Sequence, residues 1–252
     1  IVPDYGEASM RCIRHASELG WLVGSGHTKT SAEQIRQAFG GEGLKFMVHF
    51  TNGPTGQSFK PFGGGGAFEG GMNVAIHKEL ILDRIHIDER YVLDMMRRTE
   101  ERWGLEKIVV VTDALIPDVD EIPSGEFSIG STLALLDPTR RFLSTTAYIQ
   151  QDGSTRPAPP NTLCGSVLSM DRAFSNLITL FTRPISGHWY DHSPLSLDQA
   201  ICKAARLCST HQSRLDGSYS KTGSIAEGKA ADLVAGTIHQ NETGYEFRVR
   251  HV

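Results

Sequence analysis

The sequence predicts an α/β fold built on a βα barrel, and three observations support this. Lys107 to Ala114, KIVVVTDA, sets a run of apolar residues before Asp113, the pattern of a parallel strand covered on both faces that meets solvent at its carboxyl end. Three earlier segments repeat the design: WLVGSGHT leads to His27, KFMVHFTN to His49, and LILDRIHID carries His86 between Ile85 and Ile87. These four residues follow one another at intervals of 22, 37 and 27. A βα barrel spends roughly 30 residues on each strand-plus-helix unit and carries its chemistry on the loops at the carboxyl ends of the strands. One histidine closing a strand is more often a hydrogen-bonded rim residue than a ligand. Three of them at this pitch, joined by Asp113, are expected to converge on one site, with at least two holding a metal ion.

Composition narrows the function further. A chain of 252 residues is long enough for one large domain with a full core, or a domain with an appendage. Its net charge of -4 provides no basic field for nucleic acid or anionic membranes. No apolar run approaches the length needed to span a bilayer, and the opening IVPDYGEA lacks the charged and apolar regions of a signal peptide. A soluble, cytoplasmic protein with neither nucleic-acid nor membrane partners is therefore expected. Cys12, Cys164, Cys202 and Cys208 are scattered without a CxxC pair and are expected to be reduced. Ile1 has no methionine before it and Ile1 to Asp4 reads like the tail of a strand, so further residues are expected upstream.

The remaining elements follow in chain order. Gly6 to Gly20 carries Met10, Ile13 and Leu19 among charged residues, which predicts a surface helix stopped by Gly20. Trp21 to Ser25 is the next strand, and Ser31 with Gln34, or Thr30 with Glu33, has capping-box spacing for a helix to Phe39. Leu44 to Phe50 is a strand that empties into the glycine-rich stretch TNGPTGQSFKPFGGGGAFEGG, either a mobile lid or a backbone cradle for an anion with Lys60 supplying charge. His86 is expected to close a short strand, Asp88 to cap a helix, and Tyr91, Val92, Met95, Met96 and Trp103 to form that helix's buried stripe. Beyond Pro117 short runs such as EFSIG, TLALL and FLSTTAYIQ predict a meander of strands. Helices return at Met170 to Phe181 and, capped by Ser196 with Gln199, through Ile201 to Cys208. Between them RPISGHWYDHSP places His188 and His192 four apart, but Pro184, Gly187 and Pro194 oppose the helix that would align the pair on zinc, so a surface loop is expected. Two terminal strands, in GSIAEGKAADLVAG and YEFRVRHV, are expected to complete a sheet begun in the meander.

The ordered set SGHT, VHFTNG, IHID, VVTDA, LCGSVLSMDRAFSNLI and GSIAEGKAADLV resembles the amidohydrolase superfamily, and within it the N-acetylglucosamine-6-phosphate deacetylase family, from about Pro3 to Val234. The resemblance implies a TIM-type (β/α)8 barrel, of which this chain holds the C-terminal half, with a small β-sandwich domain. It divides the chain into residues 1–116 as the C-terminal part of the barrel, about strands 4 to 8; 117–162 as the strand meander, partly sandwich; 163–222 as barrel-packing helices; and 223–252 as sandwich strands. It implies a divalent metal, usually zinc with iron as another occupant, bound by His27 and His49. Asp113 takes the place of the general base and then acid, and His86 contacts the substrate carbonyl. Asn52 and Gly53 hold the phosphate or sugar end, and a homodimer is implied. The chain departs from the family at Asn52, Gly53 and Pro54, where Asn-Ala-Met is common, and it lacks the His-Leu-Glu-Gly-Pro type motif that supplies a glutamate ligand. Lys60 is the nearest cation for the sugar phosphate, a point charge in place of an arginine fork.

The chemistry stands without the family. Amide hydrolysis near neutral pH needs a nucleophile better than water, and a bound divalent ion lowers the pKa of its water to about 7 while polarising the carbonyl. His27 and His49 offer neutral nitrogens for such an ion, Asp113 can move the water's proton to the leaving amine, and His86 can donate to the developing oxyanion. The reaction expected is removal of acetate from N-acetylglucosamine-6-phosphate or a close N-acetyl amino sugar, a small-molecule substrate. The rivals are another amidohydrolase, acting on a cyclic amide, an N-acyl amino acid or a nucleobase, and a non-catalytic barrel.

Overall fold

The computed structural model describes residues 1–52, 64–116 and 119–252. Its first part runs α1 (Glu7–Glu18), β1 (Val23–Ser25), α2 (Ala32–Gly41), β2 (Leu44–Met47), α3 (Ala67–Met72), β3 (His77–Ile81), α4 (Glu89–Trp103) and β4 (Ile108–Val111). The four strands lie side by side in chain order and all parallel, the arrangement that helical crossovers impose. Among the described residues this sheet stays open and does not close into a barrel.

Local sequence explains most of these boundaries. At α2 the Ser31–Gln34 pair is the one that forms the capping box: Ser31 Oγ accepts from Gln34 N at 3.2 Å and Gln34 Oε1 accepts from Ser31 N at 3.0 Å. Asp88 caps α4 by accepting from Arg90 N at 2.9 Å. Val92, Met95 and Met96 bury against the sheet, but Tyr91 points away and is 42% exposed, which corrects the expected stripe. A Cβ on Gly24 would run into the Phe46 ring, so only glycine lets β1 lie this close to β2. On β3, Lys78 is buried, donating from Nζ to Ile76 O at 3.0 Å. Burial, then the nearby charges of Lys107 and Arg102, bring its pKa down to about 7.

Two strand ends differ from expectation. β2 stops at Met47 rather than Phe50, because His49 takes a left-handed φ of 31° and the ladder cannot continue through it. β3 stops at Ile81, so His86 lies in the loop beyond the strand and does not close it.

The second part is a five-stranded antiparallel sheet of β5 (Glu126–Ile129), β6 (Thr132–Leu136), β7 (Phe142–Ile149), β8 (Thr155–Pro157) and β9 (Leu163–Ser166) around a small core of Ile122, Ala134, Leu143, Cys164 and Val167. β9 links this sheet to the segment that follows β4. It pairs antiparallel with β7, and Ser166 bridges parallel to Ala114 just beyond β4, donating its N–H to Asp113 O at 2.8 Å. Helix α5 (Met170–Phe181) follows and packs into the main core through Ala173, Leu177 and Ile178.

RPISGHWYDHSP forms a short hairpin, β10 (Ile185–Ser186) and β11 (Asp191–His192), in place of the expected plain surface loop. It is anchored on α4 by the fully buried Asp94. Helix α6 (Leu197–Ala205), a π-helical turn at Arg206–Thr210 and α7 (His211–Leu215) then return to the parallel sheet, where His211 Nδ1 meets Ile108 O at 2.8 Å. The terminal strands β12 (Ala235–Asn241) and β13 (Gly244–His251) form their own hairpin against α5. They do not extend the meander's sheet, since Tyr245 and Phe247 N–H groups are taken by Thr179 and Ser175 of α5. The segment Gly223 to Val234 holds turns, and the first of the two strands begins only at Ala235.

Candidate active site

His27, His49 and Asp113 each follow the end of a parallel strand, β1, β2 and β4. All three also take left-handed backbone conformations, with φ of 49°, 31° and 51°. Such values are uncommon outside glycine and cost about 1–3 kcal/mol each unless the surroundings enforce them, so their recurrence at equivalent strand ends is a shared device for turning side chains over the sheet. Thr51 carries the same strain more sharply, as a β-branched residue at φ 76°.

The imidazoles of His27 and His49 stand edge to face with centroids 4.5 Å apart, close enough for one ion to touch both. His49 is buried, and its Nδ1 has no hydrogen-bond partner among the described residues. A buried ring nitrogen left without a partner is costly in a finished core and natural in a ligand. Desolvation of the His27 ring, and then the neighbouring His49, hold its pKa below the usual value, while the charge of Asp113 acts in the opposite direction. The neutral form that binds metals is thereby favoured. Gly26, His27, Thr28, Phe50, Thr51 and Asn52 line a cavity of about 20 Å³, the size of one water or ion.

As a donor set for a divalent ion, the two imidazoles fit. Among the described residues, however, no group of three or more His, Cys, Asp or Glu side chains is close enough together to hold a metal. Asn52 borders the cavity with its N–H on His49 O at 2.9 Å. Gly53 and Lys60 lie outside the described residues.

His86 is held by Asp83. Its Nδ1 meets Asp83 Oδ2 at 2.6 Å, while Asp83 Oδ1 accepts the N–H groups of Ile85 and His86 at 2.9 and 3.0 Å. The His86 side chain is 1% exposed and that of Asp83 4%. The hydrogen bonds from His86 and its loop hold the Asp83 carboxyl below the ordinary range although burial raises it. His188 and His192 do not form a metal pair: His188 stacks on Tyr91 at 3.9 Å and His192 Nε2 bonds Asp94 Oδ1 at 2.8 Å.

Two acids escaped the sequence reading. Asp83 precedes His86 by three residues, an Asx-turn spacing that was legible. Glu79 lies on β3, where burial and the charge of Asp113 raise its pKa and the N–H of His49 lowers it. The signal was a lone carboxylate inside the strand HKELI, where packing alone asks for an apolar residue.

No protein-family model matches the chain. Among characterised proteins it is 26% identical over 231 residues to an N-acetylgalactosamine-6-phosphate deacetylase of Escherichia coli O157:H7, covering 91% of this chain and 50% of that protein. It is 30% identical over 171 residues to an N-acetylglucosamine-6-phosphate deacetylase of Lysinibacillus sphaericus, covering 67% of this chain and 37% of the relative. The crystal structure of N-acetylglucosamine-6-phosphate deacetylase from Pasteurella multocida has the same fold over 99% of this chain and 56% of its own, with a TM-score of 0.69 at 19% identity. The Mycobacterium smegmatis enzyme, solved as a mutant in complex with N-acetyl-D-glucosamine-6-phosphate, matches over 90% and 50% with a TM-score of 0.68. The chain therefore spans about half the length of the proteins it matches. Its curated and structural neighbours are deacetylases of N-acetylated hexosamine 6-phosphates, members of the amidohydrolase superfamily, as the motifs had implied.

Proposed function

We propose, from kinship with the hexosamine-6-phosphate deacetylases, that this chain carries the catalytic half of a metal-dependent amidohydrolase. The enzyme removes acetate from N-acetylglucosamine-6-phosphate or a close N-acetyl amino sugar and leaves the free amine. In this reading the open parallel sheet is part of a (β/α)8 barrel. Residues 1–116 and the helices within 163–222 supply the barrel, and 117–162 with 223–252 contribute to the flanking sandwich. The single observation that carries the proposal is the edge-to-face pair of His27 and His49 with its unpartnered buried Nδ1, within the electrostatic reach of Asp113.

His27 and His49 would hold the ion through their ring nitrogens. A zinc-class ion, when bound, supplies Lewis acidity that brings water toward a pKa of about 7 and polarises the amide carbonyl. Asp113 takes a proton from the attacking water and returns it to the leaving nitrogen, because an amine anion leaves poorly. The β4 terminus fixes its backbone, and Ser166 N–H secures its carbonyl at 2.8 Å. With Asp83 orienting the ring through Nδ1, His86 donates to the carbonyl oxygen as negative charge develops there. Asn52 and Gly53, with Lys60, take the sugar or phosphate end, and the protein acts as a homodimer.

The test is acetate release from the 6-phosphates of N-acetylglucosamine and N-acetylgalactosamine by the intact protein. Asp113→Asn is expected to lower kcat by about 10²–10⁴ while the metal content of the protein stays at the wild-type level. Retained turnover in this variant refutes the acid–base assignment. Absence of stoichiometric metal in active wild-type protein refutes the wider reading.

A further inference from the structure

We propose that Glu79 is the positioning residue for the His27–His49 pair: it clamps the strained backbone of His49 from the neighbouring strand and so aims the imidazole. The inference deepens the functional reading above and rests on its assignment of His27 and His49 as metal ligands. The geometry is a double grip by one residue. Glu79 Oε2 accepts the N–H of His49 at 3.3 Å, and the Glu79 backbone carbonyl accepts the next N–H, that of Phe50, at 2.7 Å. Both peptides flanking the His49 Cα therefore end on Glu79, at the point where φ of 31° takes the chain out of the β2 ladder.

The register explains why the grip falls here. Phe46 pairs with His77 and Met47 with Lys78, so the next step along β3 is Glu79, opposite the peptides that have just left the ladder. A plain backbone ladder cannot satisfy the turned His49 N–H, and a side-chain acceptor replaces it. Packing does not demand the carboxylate. The following residues, Leu80 and Ile81, are buried and apolar, and a β-branched residue at position 79 would suit the strand better. The acid also sits within range of the charge on Asp113, an unfavourable proximity that is retained in the fold. A residue tolerated against both strand preference and like charge, while binding the backbone of a candidate ligand, has the place of a ligand's supporting partner.

The experiment measures zinc affinity of the intact protein by competition with a chromophoric chelator, using zinc alone as the probe, together with melting temperatures in excess chelator. Glu79→Ala is expected to weaken zinc binding by about 10–100-fold, the usual loss when a ligand's outer partner is removed. Glu79→Gln keeps an acceptor oxygen at the same reach and is expected to recover most of that loss. Glu79→Asp keeps the charge but withdraws the acceptor, and is expected to fall with Ala; it also serves if the Ala variant does not fold. A purely structural role would move the melting temperatures and leave zinc affinity unchanged. If wild-type zinc binding disappears in His49→Ala yet Glu79→Asp and Glu79→Ala bind as wild type, the positioning role is overturned and the metal reading survives. If wild type binds no zinc, or binds it equally without His27 and His49, both fall.

Discussion

Asp94 offers a test of how the α4 face is assembled. Its carboxylate is fully buried and accepts three hydrogen bonds from the β10–β11 hairpin: His188 N and Trp189 N on Oδ2 at 2.6 and 2.8 Å, and His192 Nε2 on Oδ1 at 2.8 Å. Hydrogen bonds to a charged acceptor each contribute about 1.5–3 kcal/mol net, so three of them set an upper bound of about 9 kcal/mol. Asp94→Ala falls short of that bound because the hairpin is partly exposed and can swing outward, letting water take up the stranded donors. The expected loss is about 3 kcal/mol, a large share of the stability of a typical domain. Urea unfolding measures it, with hydrogen exchange at the His188 and Trp189 amides reporting whether the hairpin leaves first. Asp94→Asn, which retains one acceptor oxygen, is expected to lie between wild type and Ala. A loss below about 1 kcal/mol with both amides still protected would show that Asp94 does not anchor the hairpin, contrary to the geometry.

Other consequences concern single side chains. Lys78→Met is expected to raise the melting temperature at pH 7, because it removes a buried amine that, among the described residues, hydrogen-bonds only Ile76 O. The pH dependence has a definite sign. The Lys78 pKa falls from 10.5 to about 7 on folding, so the unfolded chain binds the extra proton between those values. Wild-type stability should therefore decline as pH falls from about 10.5 to about 7, and Lys78→Met should remove that part of the decline in urea titrations taken across the range. Thr51→Gly is expected to stabilise the fold by about 1 kcal/mol in thermal melts by relieving a β-branched residue at φ 76°. Lower stability in that variant would mean that the Thr51 side chain contributes more to the cavity wall than its backbone strain costs.

The proposed site was partly legible in the sequence because its residues are announced locally. A β-branched run that ends in a polar residue marks a strand leaving the core, and repetition of that pattern brought out His27, His49 and Asp113 without any knowledge of their partners. Caps were legible for the same reason: Ser31 with Gln34 and Asp88 act on residues within one helical turn. His86 was misplaced at a strand end because Ile85 and Ile87 flank it. Those isoleucines belong to a loop held by the Asx turn of Asp83.

What the amino-acid order determined by itself was the alternation of strands and helices, the helix caps, and the residue types that gather at the strand ends, all of which act over a few residues. Tertiary structure decided the rest: that β9 ties the meander to the segment after β4, that β12 and β13 pack on α5, and that a hairpin rich in aromatics hangs from Asp94. It also decided that Glu79 holds the peptide of His49. Glu79 and His49 are 30 residues apart, and Asp94 and His192 98. Sequence periodicity states which face of an element is apolar, but the partner that a buried N–H or carboxylate finds is fixed only when distant strands and helices are packed and each polar group must be satisfied where it lies.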